Sequence, residues 1–212
     1  MKYKCWIIIG MLILLLAGCS PDGKSKDDRI PSENFTYARS VSETEKARRD
    51  SFVAAAVARL GANEKDGSHK AIIDAYNAHK PLAQGYAVSY DDEWCATFVS
   101  FISIECGLTD IIPTECSCER QIKLFEKLDC WNEDDAYVPL PGDIIYYRLG
   151  NKDSGDCTKW ANHVGIVIGT CDGKIRVIEG NNADKVTYRT LPIDDPIIRG
   201  FAVPNFAPKA EE

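Results

Sequence analysis

The sequence predicts an α+β domain, because helical patterns fill its first half and strand patterns its second. Between Ser42 and Leu128, apolar residues recur mainly at helical spacing. From Pro141 onward, runs rich in β-branched and aromatic residues are separated by Gly, Asn, Asp and Pro. Helices followed by strands favour N-terminal helices packed on an antiparallel β-sheet, here of about five to six strands.

Four helices are expected before the strands begin. Ser42-x-x-Glu45 has the form of a capping box and opens a helix that ends near Gly61. The apolar face of that helix is expected to carry Val53, Ala56, Val57 and Leu60. A second helix is predicted over residues 68–79, and a short fourth helix follows from Ile122, Phe125 and Leu128.

The third helix begins at Cys95 and carries the first candidate for chemistry. Trp94, Phe98, Phe101 and Ile102 recur on one face, Gly107 is the predicted stop, and Asp91 or Asp92 the predicted cap. A thiol at the positive end of a helix dipole is favoured as thiolate, the nucleophilic form. The alternative is that Cys95 is a small buried hydrophobe.

The second half contains five runs of strand length. They are residues 143–148, 163–168, 174–179, 186–190 and 197–203. A long polar segment, residues 150–162, leads directly into His163. Long loops in compact domains are often functional, so this loop is expected to matter for the site.

The N-terminus has the pattern of an export signal. Lys2 and Lys4 precede an apolar run of signal-peptide length, residues 6–17. The run ends in residues 16–19, LAGC, which resemble the lipobox of bacterial lipoproteins; the resemblance implies cleavage before Cys19 and its lipidation. The alternative is an uncleaved anchor, and both place the domain outside the cytoplasm of a bacterium, held at a membrane.

These features divide the chain into four parts. They are a signal peptide (1–18), a flexible polar tether (19–41), a folded domain (42–207) and a tail (208–212). Cleavage would change the net charge from −7 to −9, because it removes two lysines and no acidic residue. An acidic domain without a nucleic-acid module is not expected to bind nucleic acid, and we expect it to act as a monomer.

Six cysteines remain after Cys5, Cys19 and Cys95 are set aside. They are Cys106, Cys116, Cys118, Cys130, Cys157 and Cys171. Outside the cytoplasm they could form three disulfides, in any of about 15 pairings. Cys116, Cys118 and Cys130 match no standard zinc spacing and lack a nearby histidine, so no metal or other cofactor is expected.

One histidine is placed to serve a cysteine nucleophile. His163 opens a strand, and the next strand ends with Glu179 and Asn181, which brings a carboxylate and an amide close to the ring. A nucleophile, a proton-transfer group and an orienting acceptor form one catalytic set. The alternatives are a structural histidine and ordinary strand-end polar residues. His69 and His79 lie in a polar helix and are expected to be solvated.

Four short motifs occur in this order along the chain: residues 94–100 (WCATFVS), 141–145 (PGDII), 163–167 (HVGIV) and 178–181 (IEGN). In order and spacing they resemble the CHAP family of cysteine- and histidine-dependent amidohydrolases and peptidases. The resemblance runs from about residue 45 to 206 and implies a papain-like fold. It implies Cys95 as nucleophile, His163 as general base, and Glu179 and Asn181 as polar partners of the histidine. Asp91-Asp92-Glu93 is too short to form the calcium loop of some relatives.

The resemblance also implies the substrate and the reaction. The expected substrate is peptidoglycan, and the expected bond is either the sugar–peptide amide or one within the stem or cross-bridge peptide. Two alternatives remain, a non-catalytic wall-binding lipoprotein on the same fold and a cysteine hydrolase of another amide.

The chemistry also predicts the register of the hairpin between residues 163 and 179. A two-residue loop, Asp172-Gly173, would pair Cys171 with Lys174 and put Glu179 on the opposite face from His163. A three-residue loop with a bulge at Gly173 pairs Thr170 with Lys174 and keeps both on one face. We therefore predict the three-residue loop, with Gly165 leaving room for the Cys95 helix.

Overall fold

The α+β prediction is confirmed by a computed structural model that describes residues 37–134, 136–150 and 160–207. The predictions for the signal peptide, Cys19, most of the tether, Cys157 and the tail lie outside these residues. Within them the helices are α1 (Glu43–Val57), α2 (Lys70–Ala78), α3 (Cys95–Glu105) and α4 (Cys118–Lys127), with a 3-10 turn at Ala83–Gly85. The strands are β1 (Trp131–Asn132), β2 (Ile144–Tyr147), β3 (His163–Cys171), β4 (Lys174–Glu179), β5 (Thr187–Pro192) and β6 (Ile198–Ala202).

The six strands of the described part form one antiparallel sheet, in the order β1-β6-β2-β3-β4-β5. Every residue of β2 is buried, and so is every residue of β3 except Cys171. Strands buried on both faces lie at the centre of a sheet that is covered on both sides. The helices α1 and α3 both contact β3. None of the helices in the described ranges is both long and apolar enough to cross a membrane.

Helix α1 begins as predicted, but its buried face differs from the prediction. The Ser42 hydroxyl accepts a hydrogen bond from the Glu45 backbone N–H at 3.1 Å. The buried residues are Arg49, Phe52 and Ala56, whereas Leu60 is 41% exposed and lies beyond the end of the helix. The face is set by Phe52, whose ring lies 5.8 Å from that of Phe206, and by the buried Arg49. Periodicity alone does not reveal that an arginine belongs to the interior.

Helix α3 is the central helix of the domain. Its first nine residues are all buried, so the predicted single apolar face was too narrow a description. The predicted aspartate cap is also wrong. Trp94 occupies the N-cap position, and the Asp92 carboxylate instead accepts hydrogen bonds from Tyr86 Oη and Ser89 N. The stop is confirmed, since Gly107 adopts a left-handed φ of 65° directly after the helix.

The β3–β4 hairpin has the predicted register near His163, but a bulge within β3 produces it instead of a three-residue loop. Its turn is the two-residue Asp172-Gly173 loop, which pairs Cys171 with Lys174, so the predicted three-residue loop is wrong. Both turn residues have positive φ, 50° and 71°, as the turn that fits strand twist requires. A bulge between Val167 and Gly169 then shifts the register by one residue, so that Ile166 pairs with Ile178. Beyond the bulge, towards His163, the pairing is the predicted one.

Two glycines allow close approaches that form the site. A Cβ on Gly165 would lie 2.5 Å from Val177 Cγ1 and 2.8 Å from Glu179 Cγ, so this glycine makes room for the glutamate. A Cβ on Gly180 would lie 2.4 Å from Phe98 Cβ. It is therefore Gly180, and not Gly165 as predicted, that lets the sheet approach α3.

Candidate active site

The site forms where the start of α3 meets the end of the β3–β4 hairpin. Cys95 is the first residue of α3, His163 the first of β3 and Glu179 the last of β4. His163 Nε2 lies 3.1 Å from Glu179 Oε2. The ring is also close enough to Cys95 for His163 to lower the pKa of the thiol and for the thiol to raise the pKa of the imidazole. Cys95 and His163 are each 5% exposed and Glu179 is fully buried.

Glu179 is held by more than the histidine. Arg189 Nε donates to Glu179 Oε1 at 2.6 Å, and Asn182 Nδ2 donates to Oε2 at 2.8 Å. Burial acts to raise the pKa of Glu179, but hydrogen bonds and charges from His163 and Arg189 outweigh it and lower the pKa. The carboxylate is thus ionised and fixed in place beside the ring.

His163 is prepared to carry a proton at neutral pH. Burial acts to lower its pKa, but hydrogen bonds to Cys95 and Glu179, together with their charges, raise the pKa to about 9. The Tyr147 ring stacks on the imidazole with centroids 6.1 Å apart and an interplanar angle of 23°. Stacking on one side and the glutamate at Nε2 leave the ring little rotational freedom.

The Cys95 thiol has a second sulfur next to it. Cys118 Sγ, at the start of α4, lies 3.8 Å from Cys95 Sγ, and both side chains are buried. The hydrogen bond with Cys118 is the largest effect on the pKa of Cys95 and lowers it. Burial opposes that effect, His163 and the Ala96 backbone lower the pKa further, and the net pKa lies well below its ordinary value. Cys95 therefore has the character of a thiolate.

The structure does not place Asn181 on the histidine. Asn181 adopts a left-handed φ of 54°, and its Nδ2 donates to Glu93 Oε2 at 2.6 Å. The predicted role of Asn181 as a partner of His163 is therefore corrected: its amide ties the end of β4 to the loop before Cys95. The neighbouring Asn182 is the amide that contacts the Glu179 carboxylate.

The loop before Cys95 is held by a histidine that was expected to be solvated. His69 is only 3% exposed, with Nε2 3.1 Å from the Tyr90 carbonyl oxygen and Nδ1 3.2 Å from that of Asn63. Its ring also packs on Trp94, with centroids 5.8 Å apart. The solvated-face interpretation of His69 is wrong because the α2 N-terminus turns inward against this loop.

The described cysteines are free thiols, and Cys157 lies outside the described residues. The thiols are Cys95, Cys106, Cys116, Cys118, Cys130 and Cys171. In the described ranges, no group of three or more His, Cys, Asp or Glu side chains is placed to hold a metal ion.

Three residues of this centre were missed from the sequence, namely Cys118, Asn182 and Arg189. Cys118 is 23 residues from Cys95, and no local pattern links the two. Arg189 reaches Glu179 because β5 pairs with β4 in a register that sets Val177 opposite Arg189, diagonal to Glu179 on the same face. That register depends on the turn between β4 and β5, in which Asn181, Ala183 and Asp184 adopt left-handed conformations. The shape of this turn was not predicted from the sequence.

The fold and centre define a class of protein: an α+β domain that sets a helix-start cysteine against a histidine on an antiparallel sheet. Residues 84–181 match the family model of the CHAP domain, and this part of the chain is a CHAP domain. CHAP domains are generally hydrolase domains of the amidase and peptidase type. No curated protein and no solved structure matches the chain. Arg189 and Asn182 lie outside the matched residues.

Proposed function

We propose that this protein hydrolyses an amide bond of peptidoglycan with Cys95 as the nucleophile. The observation that carries the proposal is the buried group of Cys95, His163 and Glu179, in which the ring lies 3.1 Å from the carboxylate and lowers the pKa of the thiol. A lowered cysteine pKa beside a raised histidine pKa favours a thiolate–imidazolium pair at neutral pH. The CHAP family supplies the substrate class, since it is associated with peptidoglycan amidases and peptidases.

The first half of the reaction forms a thioester. The Cys95 thiolate attacks the amide carbonyl carbon, and the negative charge moves to the carbonyl oxygen. The Cys95 backbone N–H belongs to the first turn of α3, where N–H groups have no partner within the helix, and donates to this oxygen. His163 then gives its proton to the leaving nitrogen as the C–N bond breaks.

The second half consumes a water molecule. Neutral His163 takes a proton from water, and the resulting hydroxide attacks the thioester carbonyl. The C–S bond breaks, which returns Cys95 as thiolate beside imidazolium His163 and releases a carboxylic acid. This acid gives its remaining proton to the solvent and leaves as a carboxylate. Glu179 does not touch the reacting atoms; it positions the ring and stabilises its charge.

The bond is either the N-acetylmuramoyl–L-alanine amide or one within the stem or cross-bridge peptide. Purified peptidoglycan should be digested with the full-length protein under reducing conditions, and the soluble products analysed by mass spectrometry. Product masses distinguish the two bonds, because only the amidase separates intact peptide from sugar.

Replacement of the nucleophile is the decisive comparison. Cys95→Ala should release no product, because no other group at the start of α3 can form the thioester. Cys106→Ala is the matched control, since Cys106 caps the opposite end of the same helix, and it should keep wild-type activity. Product release by Cys95→Ala would refute the mechanism. Binding of the wild type to peptidoglycan without any product would favour a wall-binding protein instead.

We also propose that the mature protein is extracytoplasmic and anchored to a bacterial membrane through lipid on Cys19. The support is the apolar run of residues 6–17 and the LAGC sequence that ends at Cys19. Cys19→Ser should accumulate as an unprocessed precursor, whereas Cys5→Ser should be processed normally because Cys5 lies within the removed segment. Intact-mass measurement of membrane fractions checks both, and an unmodified N-terminus in the wild type would contradict the proposal.

A further inference from the structure

Two helices point their N-termini at the same pair of sulfur atoms. Cys95 is the first residue of α3 and Cys118 the first of α4, and their Sγ atoms are 3.8 Å apart. The exposed fractions are only 5% and 8%. Backbone N–H groups of two first turns therefore favour one negative charge at this place. A second negative charge at this separation, away from water, would be strongly unfavourable.

The position of Cys118 is fixed by contacts of its own helix. Gln121, one turn later and fully buried, donates from Nε2 to the Pro113 carbonyl oxygen at 3.1 Å. Its Oε1 accepts the Tyr146 hydroxyl at 2.8 Å. Strand β2 and the loop before α4 thus hold the first turn of α4 in place, so the contact between the sulfurs follows from the packing of the fold.

We propose that Cys118 is a positioning residue that donates its thiol hydrogen to the Cys95 thiolate and so sets the pH at which the nucleophile ionises. This inference rests on the proposed function of Cys95. The thiolate of Cys95, together with burial, raises the pKa of Cys118 well above its usual value. Cys118 therefore keeps its proton, and the pair holds one proton and one negative charge.

Cys118 and His163 support the same thiolate in different ways. The imidazolium of His163 carries a proton that leaves with the amine, whereas the Cys118 thiol keeps its hydrogen throughout the reaction. When the thioester forms, Cys95 loses its charge and the contact weakens; when the thioester breaks, the departing thiolate regains the donor. Loss of Cys118 should therefore slow the release of Cys95, because the departing thiolate no longer has this donor.

Other titratable groups also face this pair. They are His163 on β3, Tyr146 on β2 and Glu119 on α4, with Glu179 behind the histidine. Burial raises the pKa of Tyr146 far above neutrality, so it stays uncharged. His163 and Glu179 remain in place when Cys118 is replaced, so a change in the ionisation of Cys95 reports on the missing sulfur.

The test measures how the alkylation rate of Cys95 depends on pH. Full-length wild type, Cys118→Ala, Cys118→Ser and Cys116→Ala are treated with iodoacetamide, and the Cys95 peptide is quantified by mass spectrometry. Loss of one hydrogen bond to the charged form should raise the apparent pKa of Cys95 by about one pH unit in Cys118→Ala. Cys118→Ser keeps a donor and should restore at least half of that shift.

Cys116→Ala is the matched control because Cys116 lies two residues away and its thiol contacts Glu115 instead. Its Cys95 profile should equal that of the wild type. An unchanged profile in folded Cys118→Ala would overturn the inference. An equal shift in Cys118→Ala and Cys118→Ser would also overturn it, because it would mean that packing, and not the donor, is responsible.

A reciprocal measurement keeps the inference testable if Cys118→Ala fails to fold. Coupling between two titrating groups acts equally in both directions. In Cys95→Ala, the apparent pKa of Cys118 should therefore fall by a comparable amount, as measured by alkylation of the Cys118 peptide. No fall would overturn the inference. Because neither readout needs turnover, a protein that shows the coupling but cleaves no peptidoglycan would refute only the proposed function.

Discussion

Two fully buried carboxylates in this domain each contact an arginine, yet they serve different purposes. Asp143, just before β2, accepts hydrogen bonds from Arg49 Nη1 at 2.8 Å and Tyr137 Oη at 2.5 Å. Glu179, at the end of β4, is bound by Arg189, Asn182 and His163. The partners of Asp143 do not change their charge near neutral pH. Those of Glu179 include His163, whose charge can change.

The number of positive charges explains why the pKa values of the two carboxylates shift in opposite directions. Burial dominates at Asp143 and raises its pKa, although Arg49 and Tyr137 act in the opposite direction. Arg49 is shared with Glu45, whose Oε1 lies 2.8 Å from Arg49 Nε. At Glu179, two cations outweigh burial and the pKa falls. A buried carboxylate that must orient a charged histidine thus needs a second cation of its own, and Arg189 supplies it.

The largest effect that separates the two networks should come from Glu179→Gln. An amide can still contact the ring but cannot stabilise imidazolium, so turnover of peptidoglycan should fall by about 10²- to 10⁴-fold. The fall in turnover should be much larger than the loss of folding stability can explain. A variant with near-wild-type turnover would mean that Glu179 is as structural as Asp143.

The same variant should change the pH dependence. The folded-state pKa of His163, about 9, exceeds its ordinary 6.5, so the protonated ring contributes stability that is fully present below pH 6.5 and lost as pH rises through 9. Wild-type turnover should fall on this same alkaline limb. Glu179→Gln removes the negative charge that helps to keep His163 protonated. The loss of stability and the loss of turnover at alkaline pH should therefore both begin at a lower pH. Urea denaturation and initial rates, measured at the same pH values, would show this.

Asp143→Ala should reverse the pattern, with a large loss of stability and little loss of turnover per folded molecule. The substitution leaves Arg49 charged in the interior and the Leu140 N–H without its 2.8 Å acceptor. Breaking such a buried pair costs about 3–5 kcal/mol. Asp143→Asn should cost less, because its amide oxygen still accepts. Urea denaturation measures the stability. If turnover, corrected for the folded fraction, were well below that of the wild type, Asp143 would not have a purely structural role.

The sequence predicted the parts of the site that depend on local pattern. Cys95 at a helix start, His163 at a strand start and Glu179 at a strand end all follow from periodicity and from the resemblance to CHAP domains. The residues that were missed depend on non-local geometry. Cys118 meets Cys95 through the docking of α4, and Arg189 meets Glu179 through a strand register.

The β3–β4 hairpin shows why register is harder to predict than strand existence. Lys174–Glu179 was predicted with the observed bounds, yet the loop length was wrong by one residue. The bulge between Val167 and Gly169 restores the predicted register, and Gly169 is the one residue there whose type could have indicated a bulge. The requirement that His163 and Glu179 share a face identified the final register, but the chain meets it away from the turn.

The smallest effects should come from removing one neutral donor from each carboxylate, which makes the two networks directly comparable. Asn182→Ala removes the 2.8 Å hydrogen bond to Glu179, and Tyr137→Phe removes the 2.5 Å bond to Asp143. Each hydrogen bond to a charged group is worth about 1.5–3 kcal/mol. Since Glu179 keeps two cations, the loss of Asn182 should appear mainly as a drop in turnover of about tenfold or less.

Tyr137→Phe should instead lower the free energy of unfolding by about 1.5–3 kcal/mol and leave turnover unchanged, because Asp143 touches no group that titrates in the reaction. Both variants should be measured for unfolding in urea and for initial rates at one pH near neutrality. The comparison fails if the two variants show the same ratio of lost stability to lost turnover. In that case Glu179 would act as a packing anchor for β4 and β5, and the orientation of His163 would have to come from Tyr147 and the strand backbone.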